Sequence, residues 1–316
     1  TAFPDDYAAG LLGGSTTLKA INFNPSLALK VGSKLRVGVG AQFVYGTAEL
    51  KRNLGDAAAD KAIDGINEAA NNSAILLPIV APIAIATDAR VAGALEGKGR
   101  GIEAFSMEGD AFGLGWNTGL LLDLNDNHKI GVSYRSSVEL NFEGDYANYE
   151  GVEATGKIDI TLPAMAEFGS YHRLGDLAVQ LGVVWTEWSS FEGLEGSSDE
   201  LGGEVLFKKD YNYEDNMRYS VGLSYYLGES VILRGGYALD QKAGDTTISI
   251  PDSQRQWYTT GLTFKLGKKL SLDLTAAYIV GEEESFEETE ANSDLTYKFT
   301  NKASGIVGAA QVSLVF

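Results

Sequence analysis

The 316-residue chain contains no cysteine, only two histidines and six prolines. The missing cysteine excludes a disulfide framework and any thiolate metal site. Basic residues are scarce as well, 25 against 43 acids. A net charge of −18 leaves little basic surface for phosphate, so nucleic acid is not an expected partner. Nowhere do eighteen apolar residues follow one another, which argues against a helical membrane span. One apolar block does stand out, AILLPIVAPIAIA at 74–86, interrupted by Pro78 and Pro82. As a helix it would cover only ~20 Å, short of a ~30 Å hydrocarbon core. Two prolines would also break that helix twice, so the block is not a membrane span.

What is abundant is a period of two. In HKIGVSYRSSVELNFE (128–143), Ile130, Val132, Tyr134, Val138, Leu140 and Phe142 alternate with Gly131, Ser133, Arg135, Ser137, Glu139 and Asn141. Such alternation specifies a β-strand with one apolar and one polar face. The pattern recurs in LRVGVGAQFVY (35–45), VILRGGYALD (231–240) and LSLDLTAAYIV (270–280). Eleven strands are expected, over 16–31, 34–51, 110–124, 128–146, 157–173, 177–191, 213–227, 230–240, 254–266, 269–285 and 302–316. Most exceed the ~5–6 residues usual in soluble sheets and reach the ~9–11 that cross a bilayer obliquely. Arg36, Arg135, Glu139 and Arg234 fall opposite the aliphatic residues, as a barrel with lipid outside and a polar lumen requires. A soluble β-sandwich with one wet face is the weaker reading, because the connections are very unequal. Short turns at 31–34, 125–127, 174–176, 228–229 and 267–268 alternate with long connections at 52–109, 147–156, 192–212, 241–253 and 286–301. That is the bacterial outer-membrane arrangement, with short turns periplasmic and long loops extracellular. The ending AAQVSLVF looks like the signal read by the outer-membrane assembly machinery. The expected fold is therefore all-β, a single transmembrane antiparallel β-barrel over 1–316. Eleven is odd, whereas such barrels close with an even number of strands, so an N-terminal portion with an odd number of strands is expected to precede Thr1.

Four stretches then resemble a known family: GDAFGLGWNTGLLLDLNDNHKIGVSYRSSVELNFEGDY (109–146), LPAMAE (162–167), VVWTEWSSFEGL (183–194) and ISIPDSQRQWYTTGLTF (248–264). They are similar to the FadL family of outer-membrane transporters for long-chain fatty acids, some members of which take up toluene and other aromatic hydrocarbons. The resemblance runs from about Gly13 to Phe316. It implies a fourteen-strand barrel plugged by an N-terminal hatch, so the hatch and first three strands would lie before Thr1. It further implies passive diffusion of long-chain fatty acids or similar hydrophobic molecules along an apolar path, ending in sideways release through the wall. Aromatic-hydrocarbon uptake, surface recognition and a general aqueous pore are the alternatives.

By position, the resemblance makes Arg52, at the end of FVYGTAELKR, and Lys209, in VLFKKDYNYED, the ligand-facing cations; Lys208 is one residue away. A carboxylate in a partly dry pocket needs such a partner, since an unpaired one would be neutralised. The bland reading of both is a solvated strand-end cation. The segment GDAAADKAIDGINEAANNSA (55–74) spaces Ala62, Ile63, Ile66, Ala69 and Ala70 as an amphipathic helix. After it, Ile75, Leu76, Leu77, Ile79, Val80, Ile83 and Ile85 form either the loop's own small core or an exposed surface that captures ligand. The facing loop ANYEGVEATG (147–156) is short and polar, so any groove is one-sided. The run 282–294 carries seven acids and no base; it reads as a solvated face, with divalent cations bridging to lipopolysaccharide as the rival. His128 and His172 lie near short turns without other metal ligands at suitable spacing, and no serine–histidine pairing is suggested. No catalytic residue, metal or cofactor is expected. The expected partners are a hydrophobic small molecule, outer-membrane lipid and lipopolysaccharide, with the chain a monomer.

Overall fold

The computed structural model describes residues 2–57, 98–267, 269–290 and 295–314. Among them no helix is long and apolar enough to cross a membrane. Two 3₁₀ turns, Lys98–Gly101 and Trp188–Ser190, interrupt eighteen strands. The first three strands are β1 (Ser15–Phe23), β2 (Ser26–Val31) and β3 (Leu35–Asn53), and β3 pairs with both of the others. Next come β4 (Glu103–Asn125), β5 (His128–Arg135), β6 (Val138–Asn148), β7 (Glu153–Leu162), β8 (Met165–Leu174) and β9 (Leu177–Thr186). A hairpin of β10 (Gly193–Ser198) and β11 (Glu204–Asp210) sits inside the long connection that follows. Then β12 (Asn216–Leu227), β13 (Val231–Asp240), β14 (Arg255–Leu266) and β15 (Leu270–Gly281) pair in sequence. A second hairpin, β16 (Glu284–Thr289) and β17 (Thr296–Asn301), precedes β18 (Ser304–Leu314), which pairs with β15.

The eleven expected strands correspond to this ladder, three of them split in two. The first divides at Asn24–Pro25, the fourth at Ser136–Ser137 and the fifth at Pro163–Ala164. Proline supplies no ladder donor, which accounts for two of the breaks. The short turns lie at one end throughout, and Gly32 (φ +66°) and Gly228 (φ +62°) take the left-handed conformation their tight reversals demand.

The two faces of the sheet are unlike. Outward-facing side chains form an exposed apolar band that includes Leu27, Val39, Leu120, Leu233 and Leu274. At its edge toward the long connections, Tyr237, Tyr258 and Tyr278 stand directly opposite one another on β13, β14 and β15. From Tyr258 to Leu266 the band runs ~26 Å along its strand at ~3.3 Å per residue, close to the ~25 Å apolar belt of an outer-membrane barrel. Beyond Tyr45 the outer wall turns polar, with Thr47, Glu49, Glu108, Asp110, Glu143 and Asp145 around a shallow depression. That change marks where lipid contact ends.

One expectation about facing is corrected. Val138, Leu140 and Phe142 do not share the outer face of Val132 and Tyr134. Between the pairs Arg135↔Asn117 and Glu143↔Asp110, β4 advances seven residues while its partner advances eight. One extra residue in an antiparallel pair reverses the facing of everything beyond it. The three apolar side chains therefore turn inward and are buried, Leu140 completely, while Glu139 and Asn141 are exposed. Room for them comes from missing side chains: a Cβ on Gly46 would lie 3.0 Å from the Phe142 ring, and one on Gly113 would lie 2.5 Å from Val138. Around these residues Val44, Met107, Ile158, Ile160, Phe191, Leu194 and Tyr211 make an apolar core inside the wall.

The wall also curls back on itself at the long-connection end. Lys209 of β11 meets Glu288 of β16, and the Tyr297 hydroxyl of β17 donates to the Ala8 carbonyl at 3.2 Å. The last long connection is thereby brought against the first described residues.

Candidate functional site

A cavity of about 400 Å³ opens where the inward core meets the long connections. Six regions build it, two of them through Ser249 in the connection after β13 and through Thr289 and Glu290 at the end of β16. The N-terminal segment supplies Leu11 and Leu12, and β3 with the residue after it supplies Leu50, Arg52 and Leu54. Phe105 and Tyr146 come from β4 and β6, and the β10–β11 hairpin contributes Leu194, Leu206, Phe207, Lys208 and Lys209. Phe105 stacks on Phe207 with ring centroids 5.3 Å apart, joining two walls that are distant in sequence. The volume lies within the range of pockets that enclose one small ligand, and the lining is divided about evenly between apolar and polar surface.

Both cations singled out in the sequence line this one cavity. Arg52 is the more confined, only 6% exposed. The alternation of β3 turns it inward with Val44 and Leu50, which are buried beside it. Its guanidinium donates to the carbonyls of Ser15 (3.1 Å) and Lys51 (2.9 Å) and to Thr16 Oγ1 (3.1 Å). Those bonds hold the fork in place while using three of its five donors. A solvated strand-end arginine, the bland alternative, would not be buried.

Lys209 and Lys208 are told apart by their partners. Lys208 reaches the exposed Glu195 at 2.8 Å, whereas Lys209 bonds Glu288 at 2.5 Å. Glu288 is 8% exposed, and its second oxygen accepts the Ile248 backbone N–H at 2.5 Å. Its charge is also felt at Arg52 and at Tyr211. Tyr211 is fully buried, its hydroxyl bonded to Ser249 Oγ at 2.9 Å. Burial holds that phenol above its ordinary range, opposed by the Ser249 bond and Arg52 and reinforced by Glu288. It is therefore a neutral hydrogen-bonding group at physiological pH.

Sequence reasoning missed Tyr211, Phe105, Phe207 and Glu288. The alternating aromatics of DYNYED were a usable signal for Tyr211. The acidic run is also not uniformly solvated, since Glu288 and Glu290 are buried and Glu284 and Glu287 pair with Lys242 and Lys298. Its bases lie outside the run, so the run by itself concealed them. Residues 291–294 lie outside the described residues, as do the expected helix over 62–70 and Ile75, Leu76, Leu77, Ile79, Val80, Ile83 and Ile85. His128 and His172 are brought together across β5 and β8, with their Nδ1 atoms 3.0 Å apart. Among the described residues no three potential metal ligands gather.

Fold and cavity together define an outer-membrane β-barrel with an inward apolar compartment that carries cations. The whole chain, residues 1–316, matches the family described as outer membrane protein transport protein (OMPP1/FadL/TodX), and it belongs to that family. It is 33% identical to the 47 kDa outer membrane protein of Pasteurella multocida, covering 100% of this chain and 70% of that protein. It is 30% identical to the long-chain fatty acid transport protein of Escherichia coli O6:H1, covering 96% and 68%. In fold it is similar to the crystal structure of a Pseudomonas aeruginosa FadL homologue, with a TM-score of 0.72, 18% identity and coverage of 98% and 70%. The chain is thus an outer-membrane transporter of hydrophobic compounds.

Proposed function

We propose that the protein carries long-chain fatty acids, or amphiphiles like them, across the outer membrane by passive diffusion. Arg52 and Lys209 receive the carboxylate, and the cavity beside them holds the first part of the chain. The observation that carries this reading is one cavity in which leucine and phenylalanine side chains meet a buried, pre-positioned arginine. Its bonds to Ser15, Lys51 and Thr16 fix the guanidinium beside the cavity, where a positive charge favours an anionic headgroup. A channel for neutral aromatic hydrocarbons gains nothing from that charge, and a general aqueous pore has no use for an apolar core across its lumen. The long loops lie outside the cell, and residues 75–85 give incoming ligand its first apolar contact.

The polar lining of the rest of the lumen supports sideways release. Below the apolar core the inner wall is lined by Asn117, Ser133, Arg135, Gln180, Arg234 and Thr259. At ~0.8 kcal/mol per methylene, ten methylenes leaving the apolar core for a wet lumen would lose ~8 kcal/mol. An exit through the wall into lipid avoids that cost. Direct binding of oleate to the natural full-length protein tests the reading. Arg52→Ala is expected to weaken it ~30-fold or more, the scale of a lost charge-assisted hydrogen bond. Unchanged affinity would rule out the carboxylate role.

A further inference from the structure

Glu288 occupies the place that an anionic ligand needs. It comes from β16, in the last long connection, yet its carboxylate lies on Lys209 and its charge reaches Arg52, Tyr211 and Tyr7. It is buried, fixed by Ile248 N–H, and the adjacent Thr289 and Glu290 line the cavity itself. The neighbouring strand β17 anchors the same hairpin through Tyr297, whose hydroxyl lies 3.2 Å from the Ala8 carbonyl of the N-terminal segment and 3.4 Å from Asp56 Oδ2 just after β3.

We infer that Glu288 is a specificity-determining residue: an internal carboxylate that an anionic headgroup must displace from Lys209 to enter. This rests on the carboxylate-binding role proposed above. A carboxylate brought to Arg52 and Lys209 meets Glu288 as a like charge within the same partly dry site. Either the incoming group replaces Glu288 on Lys209 or the two share it at reduced affinity. Both routes make Glu288 an opponent of anions and a bystander to neutral ligands. Displacement also detaches the β16–β17 hairpin from β11, so headgroup arrival loosens one wall of the cavity.

The test compares oleate with oleyl alcohol, which has the same chain and no charge, on the natural full-length protein in detergent. Glu288→Gln keeps the acceptor for Ile248 N–H while removing the charge. Oleate is expected to bind the variant about tenfold tighter, as removal of a nearby like charge predicts, with oleyl alcohol changed by less than about twofold. Glu288→Asp, which keeps the charge but withdraws it, is expected to fall between, and it carries the comparison alone should Glu288→Gln fail to insert as a heat-modifiable barrel. Equal tightening for both ligands, or no tightening of oleate, overturns the inference while leaving Arg52-dependent binding in place. Wild-type protein that takes both ligands alike, with no loss on Arg52→Ala, overturns the carboxylate reading and this inference with it.

Discussion

The inner wall has two halves that obey different rules. Toward the long connections, Val44, Leu140, Phe142, Ile158 and Ile160 pack as a dry core. Toward the short turns the wall presents Arg36 to Asp123 at 2.8 Å, Gln180 to Ser224 at 3.0 Å and Arg234 to Asp273 at 3.7 Å. The buried Gln42 sits at the junction, donating to the Trp116 carbonyl at 3.2 Å and accepting from Asn22 at 2.8 Å. On the proposed function, a hydrophobic solute is held in the first half and offered nothing in the second. One additional residue at Ser136–Ser137 creates much of the difference, because it turns an outward apolar stripe inward.

The largest effect expected from this contrast is in the dry half. Phe142→Ala should cost about 3–5 kcal/mol of unfolding free energy, since the ring is buried in the core and lies against Gly46, which has no side chain. Urea unfolding followed by tryptophan fluorescence reads this directly, and a loss under 1 kcal/mol would mean the core is loosely packed. Next come two arginine substitutions that break or sharpen the assignment of facing. Leu140→Arg, inside the dry core, should cost about 3–5 kcal/mol, and Leu233→Arg, in the lipid-facing band, about 2–4 kcal/mol. Were Leu140→Arg clearly the cheaper of the two, the reversal of facing at Ser136–Ser137 would be wrong. The smallest effect belongs to the polar half. Ser224→Ala removes a hydroxyl that accepts from Gln180 and should cost about 1 kcal/mol, with oleate affinity unchanged. A marked loss of oleate binding there would show that ligand visits the lower lumen.

Much of this architecture was legible before any coordinates. Alternation in β3, β13 and β15 gave strand positions and facing, because a period of two in a lipid-facing wall leaves little freedom. Turn chemistry gave the two ends. The reversal within 128–146 was not legible, since a bulge at two serines leaves no mark on the alternation of hydrophobic residues. The hairpins β10–β11 and β16–β17 are short, and they fell almost wholly within segments read as loops. Site residues split the same way. Arg52 was reachable through the family resemblance, which placed it at the end of a strand, whereas its burial was not. Lys209 could not be separated from Lys208 until Glu195 and Glu288 distinguished them, and Glu288 is 79 residues away.

The central claim is that the cations of the upper compartment receive a carboxylate. It is tested most directly by calorimetric titration of oleate into the natural full-length protein, wild type beside the Arg52→Ala, Lys209→Ala double variant, with toluene as competitor. The account predicts saturable oleate binding that toluene displaces poorly and that the double variant loses by ~100-fold or more, as two charge-assisted contacts imply. Equal oleate affinity in both proteins, with toluene competing effectively, would contradict it.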